Sequence, residues 1–277
     1  MGAEPSAERS LVRGIPADTG TIAPMLQSLR PETQSILADV ERVTGRPVQF
    51  LRDDSLVPLS TMVTARHGAP FHILRHRPSN EPLDYFVAYQ AGFVLRLYGN
   101  APAERVDFAA TGAGPALLKT ALLGSSVFVK QDDPALDPFV EMVHHWALMQ
   151  LRSLPVGMRV DTWLAREYPG LKDLQTKGIG VLQQQNAAIL SQRFGNLTVP
   201  PHLLGTCAAH AVFADRLTGG ESFAVPYTAM GLIDAGRDLL HIWDRIAHDP
   251  GHDRALVDAW GARLGLQDWY RWIQFEP

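Results

Sequence analysis

Carboxylate and imidazole side chains at helical spacing are the first feature of this 277-residue chain that could do chemistry. Glu141 precedes His144 and His145 by three and four positions, which places all three on one helix face. Glu-x-x-His is one half of a carboxylate di-iron site, and such a site needs a second half on another helix. Asp238 and His241 are the nearest substitutes. A surface Glu–His pair is the simpler explanation.

A second feature is an amide in an apolar segment, between Tyr89 and Phe93. A buried Gln90 must find hydrogen-bond partners or cost about 1 to 3 kcal/mol, so it indicates either a polar network or a ligand pocket. Tyr89 and Phe93 stand four residues apart and would form an ordinary aromatic pair on one helix face. The full set of candidates for binding a ligand or partner is Tyr89, Gln90, Phe93, His72, Glu141 and His145.

The five residues Tyr89-Gln90-Ala91-Gly92-Phe93 resemble the active-site pentad of zincin metallopeptidases, His-Glu-x-Gly-His. By residue identity the resemblance rests on the glycine alone.

The surroundings of the pentad are also similar, over roughly residues 60 to 154. In zincins, an edge strand that aligns the substrate precedes the active-site helix. Here the strand-like run Phe71 to Arg75 precedes the helical run Glu81 to Tyr98. The resemblance implies a zincin-like scaffold in the middle of the chain. It also places Glu141 on the next helix, where the third zinc ligand usually falls.

The chemical positions of the pentad depart from the family. Zinc requires two imidazoles one helical turn apart and a carboxylate that takes a proton from the bound water. Tyr89 and Phe93 replace the imidazoles, and Gln90 replaces the base. Phenylalanine has no lone pair, tyrosine is a poor ligand near neutral pH, and glutamine accepts no proton usefully.

The leading hypothesis is therefore a pseudo-metallopeptidase: a metal-free, catalytically inactive zincin-like protein that has no cofactor and binds an unknown protein or small molecule. The first alternative is a helical non-haem enzyme that holds iron or zinc through Glu141, His144, Asp238 and His241. The second alternative is an active metallopeptidase with unusual ligands. The sequence leaves the oligomeric state open.

Hydrophobic periodicity predicts the elements that would position these residues. We expect an α+β fold that is mostly α-helical, with a small antiparallel sheet packed on a helical bundle. The predicted strands are Pro47–Leu51, Thr61–Arg66 and Phe71–Arg75, the last two forming a hairpin. The predicted helices are Pro31–Thr44, Glu81–Tyr98, Pro115–Leu123, Pro134–Leu154, Arg159–Tyr168, Leu171–Phe194, Pro201–Leu217, Tyr227–Ala247 and His252–Leu264.

The predicted organisation has three parts: a flexible terminus over residues 1–20, a region of helix, hairpin and zincin-like helices over 21–154, and a helical region packed on it over 155–277. A weak boundary lies near Pro155 to Gly157, and one continuous domain is the alternative. The aromatic residues between Trp260 and Phe275 indicate that the last segment docks onto the body of the protein.

Composition excludes several classes of protein. The net charge is −4, from 25 basic and 29 acidic side chains without a basic cluster, so nucleic acid is not an expected partner. Cys207 is the single cysteine, which rules out an intrachain disulfide. No segment is predicted to cross a membrane, and no secretory signal is recognisable, so we expect a cytoplasmic protein. Arginine far outnumbers lysine, which suggests a bacterial origin.

Overall fold

The computed structural model describes residues 28–56, 59–77, 82–125, 130–191, 197–220 and 222–277. The predicted flexible terminus, residues 1–20, lies outside the described residues. The fold is α+β and mostly helical, as the sequence predicts. The helices are α1 Pro31–Thr44, α2 Leu83–Tyr98, α3 Ala113–Ser125, α4 Leu136–Glu167, α5 Lys172–Ala188, α6 Gly205–Thr218, α7 Val225–Ala229, α8 Ile233–Arg245 and α9 Asp253–Leu264. The strands are β1 Val48–Arg52, β2 Ser60–Val63, β3 His72–His76, β4 Val106–Ala110 and β5 Tyr270–Gln274.

Helix α1 has the bounds that its sequence predicts. Pro31 occupies the first turn, where its missing N–H would have no intrahelical partner. Gly45 ends the helix with a φ of 70°, and its N–H donates to Glu41 O at 2.8 Å. Ile36 and Val40 are fully buried, whereas Val43 at the end of the same stripe is exposed, and α1 packs against α2.

The sheet beside α2 is mixed, with strand order β1-β3-β2. The hairpin prediction is confirmed, because β2 and β3 are antiparallel with Val63 opposite Ile73. The small sheet is antiparallel only in part, because β1 runs parallel to β3. Strand β3 is paired on both sides and is therefore central, not the edge strand that the zincin resemblance assigns to Phe71–Arg75.

Helix α4 runs without a break through Pro155, where the sequence predicts two helices and a weak boundary. A proline inside a helix costs about 3 kcal/mol. Every residue from Leu154 to Val160 is buried, so tertiary packing opposes that cost. Trp243 Nε1 also donates to the Pro155 carbonyl at 3.0 Å, across to α8. A division of the chain at residue 155 would cut this single helix.

Other boundaries differ from the predictions. The predicted helix Tyr227–Ala247 is two helices, α7 and α8, because the chain turns where Leu232 N–H donates to Tyr227 O at 2.9 Å. The predicted helix Leu171–Phe194 is α5 followed by a 3-10 turn to Ser191, and its last three residues lie outside the described residues. None of the helices described here is long and apolar enough to cross a bilayer.

The C-terminal segment docks onto the body, as its aromatic content predicts. It does so as a strand, β5, which pairs antiparallel with β4. The rings of Phe108 and Tyr270 stack with centroids 4.4 Å apart. Neither strand was predicted from the sequence, because each has only five residues and the two pair across more than 150 positions of the chain.

Two glycines allow α2 and α4 to cross at short distance. A β-carbon on Gly92 would overlap the side chain of Val160, and one on Gly157 would overlap the hydroxyl of Tyr89. The glycine that carries the zincin resemblance is therefore required by packing in this fold. The crossing also sets Arg96, one turn after Gly92, close to Arg159.

We predict that Gly92→Ala destabilises the protein by about 1 to 3 kcal/mol, because the added methyl group meets a close-packed helix. Combining it with Val160→Ala should recover part of the loss, since the two side chains share the same space. The measurement is urea unfolding. Gly124→Ala is the matched control, because a β-carbon there has no neighbour within 4 Å. A Gly92→Ala variant as stable as Gly124→Ala would contradict the packing argument.

Candidate functional site

The five residues from Tyr89 to Phe93 lie in α2, and their side chains contact one another and strand β2. Tyr89 is buried and Phe93 half-buried, and their rings pack edge to face with centroids 5.2 Å apart, which is the ordinary aromatic pair. Gln90 Nε2 donates to the carbonyl of Ser60 on β2 at 3.3 Å. Burial, and then the charge of Asp161, raise the pKa of Tyr89 well above its usual value. The phenol therefore stays neutral.

His72 is a buried residue of the central strand. The N–H of Ala65 donates to His72 Nδ1 at 3.0 Å, so Nδ1 is an acceptor. The proton then sits on Nε2, which lies 3.0 Å from Thr44 Oγ1. Burial, and then the charge of Arg46, lower the pKa of His72 to about 4. A neutral imidazole with both nitrogens occupied holds α1 to the sheet and is not free for a ligand.

The alternative metal set of Glu141, His144, Asp238 and His241 is not assembled. Glu141, His145 and His241 face solvent, whereas His144 is buried with its ring 5.3 Å from that of Trp269. Asp238 is exposed and accepts a hydrogen bond from Arg263 at 2.6 Å. Within the described ranges, no three His, Cys, Asp or Glu side chains lie close enough to hold a metal ion. The iron or zinc site proposed for these residues is therefore wrong.

The structure brings together two arginines that the sequence analysis did not select. Arg96 on α2 and Arg159 on α4 both donate to Asp253 at the start of α9. Arg96 Nε and Nη2 each lie 2.7 Å from a carboxylate oxygen, and Arg159 Nη1 lies 2.6 Å from Oδ1. Arg96 also donates to the carbonyl of His248 at 2.8 Å, and Arg159 to that of Ile246 at 3.2 Å. We call this group the arginine–aspartate unit.

Within this unit two guanidinium groups share one carboxylate, and the nearby carboxylate of Asp249 also acts on Arg159 through its charge. The Arg159 side chain is 0% exposed and that of Arg96 is 13% exposed. Burial lowers the pKa of Arg159, while the hydrogen bond to Asp253 opposes that shift. Arginine nevertheless remains protonated in proteins. The Nε of Arg159 is buried without a hydrogen-bond partner in the part of the chain described.

A cavity of about 550 Å³ lies against the arginine–aspartate unit. This volume is within the range of small-molecule sites. Residues three or four positions apart lie on the same face of a helix, so each helix contributes several residues to the wall of the cavity. Its lining includes Asp39 and Arg42 from α1, Gly92, Leu95 and Arg96 from α2, Arg159, Thr162, Trp163 and Arg166 from α4, and His248, Asp249 and Pro250 from the turn before α9.

Two further arginines lie at the exposed rim of the cavity. Arg42 and Arg166 have side chains that are 71% and 72% exposed, and each forms an ion pair with an acidic residue on its own helix. Exposed pairs of this kind are worth about 0 to 1 kcal/mol, so a ligand can replace them at little cost. Burial, and then the charge of Arg159, lower the pKa of His248, which favours the neutral ring.

A signal for this site was present in the sequence. Arg96 lies in a helix that is apolar on most sides, and a charge in that position needs an acidic partner. The sequence does not say which of the 29 acidic residues supplies it. Asp253 lies 157 positions away from Arg96, beyond the reach of any local pattern.

A second polar group lies on the other side of α4. Asp161 is fully buried, and its Oδ1 accepts hydrogen bonds from Tyr85 at 3.1 Å and from Gln175 at 3.0 Å. Its Oδ2 is without a partner among the residues described. Burial raises the pKa of Asp161 to about 7, only partly opposed by the two hydrogen bonds. This group links α2, α4 and α5 behind the cavity.

The chain matches no protein-family model, no curated protein and no solved structure.

We predict that Asp161→Asn stabilises the protein more at pH 8 than at pH 4. Between its ordinary pKa of 3.8 and about 7, the folded state keeps the Asp161 proton while the unfolded state releases it. Folding stability from this group is therefore lost as the pH rises across that window, by up to about 4 kcal/mol. Asparagine carries no charge and removes this dependence.

The measurement is the unfolding free energy of both proteins at several pH values. His72 and His210, whose pKa values burial lowers to about 4, titrate in both proteins and cancel in the comparison. Asp234→Asn is the control, because that side chain is 90% exposed. A stability difference between wild type and Asp161→Asn that does not vary with pH would contradict the role of Asp161.

Proposed function

We propose that this protein is a metal-free binding protein that holds a small anionic molecule in the cavity beside the arginine–aspartate unit. One observation carries the proposal: Arg96 and Arg159 share the single carboxylate of Asp253 at the wall of a cavity of small-molecule size. The cavity lining and Asp253 together hold four arginines and three carboxylates, those of Asp39, Asp249 and Asp253, so a bound anion would balance the remaining positive charge.

The roles of the arginines differ with their exposure. Arg96 is partly exposed, and its Nη1 has no hydrogen-bond partner among the described residues, so it can donate to a ligand. Arg159 is fully enclosed and would act on the ligand through its charge, which is weakly screened in the interior. Arg42 and Arg166 would leave their exposed ion pairs and pair with the ligand instead. Guanidinium groups suit carboxylate and phosphate, which they bind with two parallel hydrogen bonds.

The proposal favours binding over metal-dependent hydrolysis because of the side chains at the pentad. Tyr89 is a buried neutral phenol, Phe93 offers no lone pair, and Gln90 donates to the backbone of β2.

The proposal also includes kinship with the zincins, as a pseudo-metallopeptidase, a bacterial origin and a cytoplasmic location. A small-molecule ligand is the better-supported partner, because the cavity between α1, α2, α4 and the turn before α9 has the volume of a small-molecule site.

We predict that inorganic phosphate stabilises the protein and that Arg166→Gln weakens this binding by about tenfold, the loss of roughly one charge-assisted hydrogen bond. A ligand that binds only the folded state raises the unfolding temperature with its concentration. The measurement is thermal unfolding in sodium phosphate against sodium chloride at matched ionic strength, with calorimetric titration for the affinity.

Arg237→Gln is the matched control. Its side chain is 66% exposed and pairs with an acidic residue on its own helix, but it lies outside the cavity. We expect wild-type affinity from this variant. If phosphate stabilises the protein no more than chloride does, or if both variants bind it equally, the proposal is wrong.

A further inference from the structure

We infer that the anionic ligand has a flat aromatic body, with the anionic group at Arg96 and the ring beside Trp163. This inference rests on the proposed function and specifies the chemical class of its ligand. Aryl carboxylates and aryl phosphates share this chemistry.

The order of side chains along α4 supports this assignment. Arg159, Trp163 and Arg166 follow one another at steps of four and three residues, so they lie in one stripe that faces the cavity. With a rise of 1.5 Å per residue, Trp163 lies about 6 Å along the axis from Arg159, and Arg166 about 10 Å. If the anionic group of a ligand lies near the arginine–aspartate unit, the part of the ligand a few ångströms further along lies beside the indole of Trp163.

The cavity also has an apolar part. Leu95 stands one residue before Arg96 and lines the cavity together with Trp163 and Pro250. These three residues are each half-buried, so they keep apolar surface that a ligand can cover. The ring of Tyr168 packs edge to face against the indole, with centroids 5.1 Å apart. An indole with exposed apolar surface favours a flat aromatic partner over a flexible chain.

The test compares phenyl phosphate with methyl phosphate, because the two monoesters carry the same anionic group and differ in the ring. We expect wild-type protein to bind phenyl phosphate about tenfold more tightly, as measured by calorimetric titration. Trp163→Leu should reduce this preference to less than about threefold, and Trp163→Phe, which keeps a ring, should retain most of it. Trp146→Leu is the control, because Trp146 is half-buried on the same helix but outside the cavity.

The outcomes separate the inference from the proposed function. Equal affinity of the wild type for the two phosphates would overturn the aromatic ligand and leave anion binding intact. A preference that survives Trp163→Leu would also overturn the inference, since the ring would then bind elsewhere. Failure of both phosphates to bind would overturn the proposed function together with the inference. The wild-type comparison decides the first and third outcomes even if a variant does not fold.

Discussion

The carboxylate of Asp253 connects three segments that are far apart in the sequence, and the candidate site depends on it. Through this one side chain, α2 and α4 are joined to the first turn of α9. The carbonyls of Ile246 and His248 bind the same two guanidinium groups, so the turn before α9 is held at the cavity as well. Without a counter-charge, two arginines at this depth would be strongly destabilising.

Close helix packing is the second requirement of the site. The helices α2 and α4 cross where Gly92 meets Val160 and Gly157 meets Tyr89. A larger residue at either glycine would separate the helices and move Arg96 away from Arg159. The five residues Tyr89 to Phe93 and the candidate site are therefore connected by packing, because the glycine of this segment allows the helices to cross.

Local patterns predicted the elements whose signals are themselves local. The amphipathic period and the terminal proline and glycine define α1, and alternating β-rich runs define the hairpin of β2 and β3. Long-range effects explain the failures. Burial of its neighbours opposes the cost of Pro155 inside α4. The parallel partner of β3 was missed because the pairing of β1 with β3 skips the intervening strand β2.

The difference between local patterns and long-range contacts also decides what could be predicted of the site. Helical spacing identified Tyr89 and Phe93 as a pair, which the structure confirms, and the need of Gln90 for a partner is met by β2. Spacing also suggested a metal set at Glu141 and Asp238, which tertiary contacts do not assemble. Arg96 and Arg159 were not selected because their shared partner, Asp253, is distant from both in the sequence and only tertiary packing brings the three side chains together.

Replacement of Asp253 by asparagine tests the central claim most directly, because it leaves two facing guanidinium groups without their carboxylate. In low-salt buffer without phosphate, we predict that Asp253→Asn lowers the unfolding free energy by roughly 3 to 5 kcal/mol. Asp238→Asn, which breaks an exposed pair with Arg263, should cost about 1 kcal/mol or less. Added phosphate should recover much of the Asp253→Asn loss and stabilise this variant more than the wild type. A deficit that phosphate does not reduce, or one no larger than that of Asp238→Asn, would contradict the account.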